Sequence, residues 1–295
     1  MTTLPDRFAA CRTAADFYRV QIDAENLLSP AEVEALEPAG LPPQAAAWLG
    51  KLRGMLMLAG GGAQAFRRRD LSDNATFYEG EGEGSPRCLV VAFTGIAMRM
   101  NVPAPAFLQA LPAASCDVVI LRDPGRAAFL AGVPGYAADL PALAARLAAD
   151  LPGGRHPGGI RCIGTSAGGA AALYLGRLVR ARRAVSVDGA HPAALKLRLP
   201  DEVDRGALDA ALARTPPGPE VLVAAHGIGD LRDAVRGRLL AAGLPGARAL
   251  TVAVQGPHGL FGTLLARRLL GRFLAEVLLA DTPPDGLPAT WPAAT

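Results

Sequence analysis

Ser166 has the strongest claim to chemistry in this chain of 295 residues. It stands in Gly164-Thr165-Ser166-Ala167-Gly168, a G-x-S-x-G pattern that closes the apolar run IRCIGT and leads into the helical pattern AAALYLGRLV. A sharp strand-to-helix turn at that point presents the hydroxyl at a helix N-terminus, where free N–H groups favour developing negative charge. A serine hydroxyl is a weak nucleophile until a neighbouring base takes its proton. The four histidines are His156, His191, His226 and His258. His258 lies in Gln255-Gly256-Pro257-His258-Gly259, just past the last strand-like run, where a glycine- and proline-rich loop can carry an imidazole over a sheet edge. The carboxylate that would orient it is expected after the preceding run, VLVAAHGIGD, which ends on Asp230. The alternative for Asp230 is a cap of the next helix. Asp188, in VSVDGAHP, is the substitute acid. Such a set would perform nucleophilic acyl transfer.

That chemistry needs two donors aimed at a developing oxyanion. The Ala167 N–H, next to the serine, is one expected donor. The other is expected from the turn after CLVVAF, Thr94-Gly95-Ile96-Ala97, as the Gly95 or the Ile96 amide. Thr94, His226, His191 and Arg122 also stand at or just past strand ends and are candidates for touching substrate. For the two histidines the alternative is an imidazole bonded to loop backbone. For Arg122, in Arg122-Asp123-Pro124, it is a loop-fixing pair with Asp123. His156, in GGRHPGG, receives no role, and Gly227–Gly229 lacks the third glycine of a dinucleotide fingerprint.

The elements that must position these groups alternate from Cys88 onward. Strand-like runs cover 88–93, 117–122, 160–165, 184–189, 220–225 and 249–254, with helical patterns near 103–111, 138–150, 167–182, 204–214, 230–242 and 261–280. Apolar strands alternating with helices predict an α/β fold: a doubly wound, mostly parallel sheet with helices on both faces. Right-handed crossovers bring all the strand C-termini to one edge, where ligands bind. Residues 1–86 read as a helical N-terminal extension that includes the first strands if any, with helices near 5–28 and 30–60. Ser29-Pro30-Ala31-Glu32 marks the second helix start, Gly60-Gly61-Gly62 its end, and YEGEGEGS (78–85) an acidic link. Residues 87–280 form the predicted catalytic domain and 281–295 a disordered tail. The 190–219 segment is too short for a large lid but long enough for a small helical cap.

Composition narrows the function. With 51% hydrophobic and 19% charged residues the chain must bury a large core. A net charge of +3, from 30 basic and 27 acidic residues, is too balanced to indicate nucleic acid. Arg67-Arg68-Arg69 and Arg180, Arg182 and Arg183 read as solvated helix faces. Cys11, Cys88, Cys116 and Cys162 form no CxxC pair, which argues against a metal site; three of them lie in apolar runs as buried thiols. The first residues, MTTLPDRFAA, show no signal pattern, and no run suits a transmembrane helix, so a cytoplasmic location is expected.

Gly164-x-Ser166-x-Gly168, Asp230 and His258, in that order, resemble the α/β-hydrolase superfamily over roughly residues 86–280. The resemblance implies a mostly parallel sheet of about eight strands, a Ser–His–acid triad and no cofactor. MLMLA (55–59) and ATFYE (75–79) are the candidates for its antiparallel start. It implies a serine hydrolase cleaving a small-molecule or acyl-carrier ester or thioester through an acyl-enzyme. An acyltransferase using the same intermediate, and a non-catalytic partner-binding member of the fold, stand as alternatives. The oligomeric state is not readable from the sequence.

Overall fold

The computed structural model describes residues 3–82, 86–151, 153–195, 203–216, 218, 220–281 and 287–292. Four helices come first: α1 (Leu4–Ala9), α2 (Ala14–Leu27), α3 (Pro30–Ala35) and α4 (Pro43–Ala59). Local chemistry sets their starts. Thr3, Thr13 and Ser29 each cap the N-terminus, reciprocated by Asp6, Asp16 and Glu32 three residues on. The two helices expected near 5–28 and 30–60 are therefore each divided, the first at the Thr13 cap and the second by Pro38, Pro42 and Pro43. Gly60 ends α4 as anticipated.

The strands and later helices follow as β1 (Phe66–Ser72), β2 (Ala75–Gly80), β3 (Cys88–Phe93), α5 (Ala104–Gln109), β4 (Cys116–Leu121), α6 (Leu140–Asp150), β5 (Ile160–Thr165), α7 (Gly169–Leu178), β6 (Arg183–Val187), α8 (Arg205–Arg214), β7 (Val221–Gly227), α9 (Leu231–Ala242), β8 (Ala247–Val252), α10 (Leu260–Ala266), α11 (Leu270–Phe273) and β9 (Thr290–Trp291). One sheet runs β1-β2-β4-β3-β5-β6-β7-β8-β9. β1 and β2 pair antiparallel with each other, β2 antiparallel with β4, and every other neighbouring pair is parallel. The predicted doubly wound sheet with helices on both faces is what the chain adopts.

Side-chain alternation divides the core between the faces. On β3, Val90 and Ala92 join α1–α5, α10 and α11, while Leu89, Val91 and Phe93 join α6, α7, α8 and α9. The first core is anchored by Phe8, whose ring lies 5.1 Å from that of Phe17 and 5.2 Å from that of Trp48.

Several elements differ from expectation. MLMLA lies inside α4, and the antiparallel partner of β2 is FRRRDLS: Arg67, Arg68 and Arg69 stand on a strand, with Arg67 pairing Glu79 across the sheet. Arg183 is not on a solvated helix face; it opens β6, buried, and donates to the Val277 carbonyl. The 261–280 helix breaks at Arg268, whose φ is +57°, and ends in a wider π turn, Leu274–Leu279. Within the expected tail, Thr290–Trp291 pair with β8, and Trp291 is buried against Phe273. Residues 83–85 of the expected acidic link lie outside the described residues, whereas Tyr78–Gly80 belong to β2. The expected cap region contributes α8, which packs Leu208 into the core beneath α6 and α7; 196–202 lie outside the described residues. Among the described residues, no helix is long and apolar enough to cross a membrane.

Candidate active site

Because β3 and β5 through β8 run parallel, Thr94, Ser166, Asp188, Ile228 and His258 all follow strand C-termini on one edge. Ser166 occupies the left-handed region with φ +51°. For a residue with a side chain this costs on the order of 1–3 kcal/mol and persists only where the surroundings enforce it. Two glycines make the turn possible. A Cβ at Gly164 would collide with the Gly168 carbonyl, and one at Gly168 would sit 2.6 Å from the carbonyl oxygens of Phe93 and Thr94.

His258 Nε2 lies 3.3 Å from Ser166 Oγ, and His258 Nδ1 lies 2.8 Å from Asp233 Oδ2. With the proton on Nδ1, the imidazole donates to Asp233 and accepts from the serine hydroxyl. The acid facing the imidazole is thus Asp233 in the first turn of α9, not Asp230. Asp230 caps α9: it accepts from the Arg232 N–H at 2.8 Å and pairs with the Arg232 guanidinium, which holds its carboxyl below the usual range. The physical reason is helix geometry. Three residues advance the side chain by most of a turn, so the carboxylate on the buried stripe Asp233, Ala234, Gly237, Leu240, Ala241 faces the β8–α10 loop. That stripe was the available signal, since an acid at the head of a helix's apolar face needs a partner inside the fold. Asp233 is 2% exposed, and its second oxygen, Oδ1, has no hydrogen-bond partner among the described residues.

Asp188 does not orient the imidazole either. Its Oδ2 accepts the Gly259 N–H at 3.2 Å and the Leu260 N–H at 2.6 Å, fastening the residues that follow His258. Burial pushes its carboxyl up to about 6, with the neighbouring Asp233 charge adding to the rise and the Leu260 amide opposing it. Donor atoms of Asp188, Asp233 and His258 lie within 4.8 Å of one another, a grouping their hydrogen bonds already account for.

The turn after β3 abuts the serine. A Cβ on Gly95 would come within 3.3 Å of the Thr165 carbonyl and 3.4 Å of Ser166 Cβ. Gly95 nevertheless gives its own N–H to the Arg99 carbonyl at 2.8 Å, so of the two expected donors in this turn the Ile96 amide is the one left. The Ile96 amide has no backbone partner among the described residues, and the Ala167 amide stands in the first turn of the short helix Ser166–Gly168, where N–H groups lack an intrahelical acceptor.

The other candidates for substrate contact are placed elsewhere. Thr94 is buried, with its hydroxyl donating to the Leu121 carbonyl. Arg122 is buried and donates to Thr76 Oγ1 and the Asn26 carbonyl, tying α2 to the sheet rather than pairing with Asp123. His226 is 1% exposed inside β7, with Nε2 3.3 Å from Thr251 Oγ1 and the ring beneath Gly237 of α9; burial lowers its basicity. His191 meets Tyr174 in a cleft of about 380 Å³ lined by Arg177, Leu212 and Leu244 rather than by Ser166 or His258. His156, given no role, binds buried Asp117 at 2.9 Å. Two exposed isoleucines, Ile96 and Ile228, flank the serine edge instead, and sequence reasoning assigned only the backbone of the first.

No protein-family model matches the chain, and no curated protein matches it by sequence. Among solved structures, an esterase from Pyrobaculum calidifontis is 17% identical, with 85% of this chain and 98% of that one aligned and a TM-score of 0.45. S-formylglutathione hydrolase from Staphylococcus aureus is 14% identical, covering 72% and 100%, with a TM-score of 0.48. A fluorophosphonate-binding serine hydrolase from Staphylococcus aureus is 13% identical, covering 71% and 99%, with a TM-score of 0.46. By its own strand order, and by the left-handed serine turn that closes β5, the chain has the fold of the α/β-hydrolase superfamily.

Proposed function

We propose that the chain is a serine hydrolase that cleaves a carboxylic ester or thioester through an acyl-enzyme on Ser166. The observation that carries this reading is the continuous relay from Asp233 Oδ2 through both nitrogens of His258 to Ser166 Oγ on the open sheet edge. Ser166 attacks the carbonyl carbon while its proton passes to His258 Nε2. Asp233 keeps the neutral imidazole in the tautomer that accepts there and stabilises the imidazolium that forms. The Ala167 and Ile96 amides stabilise the oxyanion. His258 then protonates the departing alcohol or thiol, and water, deprotonated by the same imidazole, releases the acid. Asp188 serves this cycle by holding the residues after His258. The exposed Ile96 and Ile228 side chains favour an apolar group beside the scissile bond.

A fluorophosphonate probe tests this directly, because it reacts only with an activated serine. The full chain is expected to label at one site and Ser166→Ala not at all, with turnover of a short-chain ester lost by about 10⁴-fold or more. Equal labelling of the variant would remove Ser166 from the mechanism. Partition of the acyl group between water and an added alcohol then separates hydrolysis from transfer.

A further inference from the structure

The N-terminal helices are far from Ser166 in sequence, yet one of them reaches the loop beside it. Glu25, near the end of α2, is buried, and its Oε1 accepts from Trp48 Nε1 and Gln21 Nε2, both at 2.8 Å. Its other oxygen, Oε2, lies 2.6 Å from the Arg99 guanidinium. Arg99 belongs to the turn after β3. Its carbonyl accepts the Gly95 N–H at 2.8 Å and the Thr165 hydroxyl at 3.3 Å, joining that turn to the residue before the nucleophile. The turn needs such support: Met98 and Asn101, on either side, hold φ values of +56° and +60°, a region that side-chain-bearing residues rarely adopt. The end of α2 is itself pinned to the sheet, since the Leu27 carbonyl accepts from Tyr78 and the Asn26 carbonyl from Arg122.

We infer that Glu25 and Arg99 are positioning residues through which the N-terminal helical layer sets the loop that presents the Ile96 amide to the oxyanion. This rests on the serine-hydrolase reading above. The ion pair fixes Arg99, the Arg99 carbonyl commits the Gly95 N–H, and the next amide along is left for the substrate oxygen. The arrangement gives α1–α4 a part in the reaction although, among the described residues, none of theirs is bonded to Ser166 or His258.

The test uses Glu25→Gln, which keeps an acceptor for Trp48 but removes the charge, together with Arg99→Met and Arg99→Lys in the full chain. An oxyanion donor contributes in the tetrahedral state more than in the Michaelis complex. Both charge-removing variants are therefore expected to lower kcat by about 10- to 100-fold with KM within about threefold. Phosphonylation by the fluorophosphonate should slow by a similar factor, and Arg99→Lys should restore most of the rate. Thermal melts identify folded variants, and Arg99→Met carries the test if Glu25→Gln fails to fold. Wild-type kcat and labelling rate in folded Arg99→Met, or a raised KM with kcat unchanged, would overturn the inference while leaving Ser166 chemistry intact. An unlabelled wild-type chain would instead remove the reading beneath it.

Discussion

Two aspartate–histidine clusters lie at opposite ends of the sheet. At the N-terminal ends of the parallel strands, buried Asp117 of β4 receives Arg87 at 2.8 Å, Arg155 at 2.9 Å, His156 at 2.9 Å and the Gly80 N–H at 2.9 Å. Burial alone would raise its carboxyl, but the hydrogen bonds from His156 and Arg155 and the Gly80 amide outweigh it, holding the group well below the usual range. At the C-terminal ends, Asp233 is likewise buried, but among the described residues its side chain hydrogen-bonds His258 and that of Asp188 beside it accepts from two backbone amides. Held by two guanidiniums as well, the Asp117–His156 pair ties β4 to the loop before β5. Given one imidazole whose far nitrogen faces a hydroxyl, an Asp–His pair can transfer a proton. The partners, not the residue types, separate the two clusters: guanidiniums gather on Asp117, whereas the imidazole on Asp233 turns its other nitrogen to Ser166.

The largest effect that would sharpen this contrast is on the acid. Asp233→Asn should lower kcat by about 10³-fold or more, because the amide favours the wrong imidazole tautomer. Asp230→Asn should leave kcat within about twofold and stability nearly unchanged, since asparagine also caps well. Steady-state kinetics of the two variants side by side decides between them, and a reversed order would break the assignment. At the other end of the sheet, Asp117→Asn should cost about 1–3 kcal/mol of stability by removing the buried charge that Arg87, Arg155 and His156 share, without lowering kcat of the folded chain. The Asp117 carboxyl is depressed, so its contribution is complete above the ordinary carboxylate range near pH 4 and is lost on acidification below it. Denaturant melts of the variant should therefore lose acid sensitivity below about pH 4.

The smallest effect has the opposite sign. Asp188 holds its proton up to about 6 in the folded chain, whereas an unfolded aspartate releases it near 4. The folded state therefore binds more protons between those values, and the Asp188 contribution to stability falls as pH rises across that window and is level above it. Asp188→Asn retains an acceptor for Gly259 and Leu260 but cannot ionise. Its stability relative to wild type should rise between about pH 4 and 6, and melts across pH 4–8 check the slope. An unchanged slope would show that Asp188 does not titrate there.

Ser166 and His258 could be singled out in the chain as candidate partners because their signals are local. A strand, two close-packed glycines and a helix define the serine turn, and a glycine–proline loop past the final strand marks the histidine. The alternation of apolar runs with helical patterns likewise specified a parallel sheet and the edge where its strand C-termini gather, since burial on both faces leaves periodic composition behind. Other features left no local trace. Arg67-Arg68-Arg69 suited a solvated helix, and only pairing with β2 made it a strand, because strand preference depends on cross-strand neighbours more than on the residues themselves. Asp230, Asp233 and Asp188 are chemically identical, and each stands within reach of the histidine loop along the chain. Which one meets the imidazole depends on the rotation of α9, set by the packing of Gly237 over His226 and of Leu240 into the core. The link from Glu25 to Arg99 spans even more of the chain. Residue types determined what chemistry was available; packing between distant segments decided which groups meet, because hydrogen bonds depend on ångström-scale distances that sequence separation does not encode.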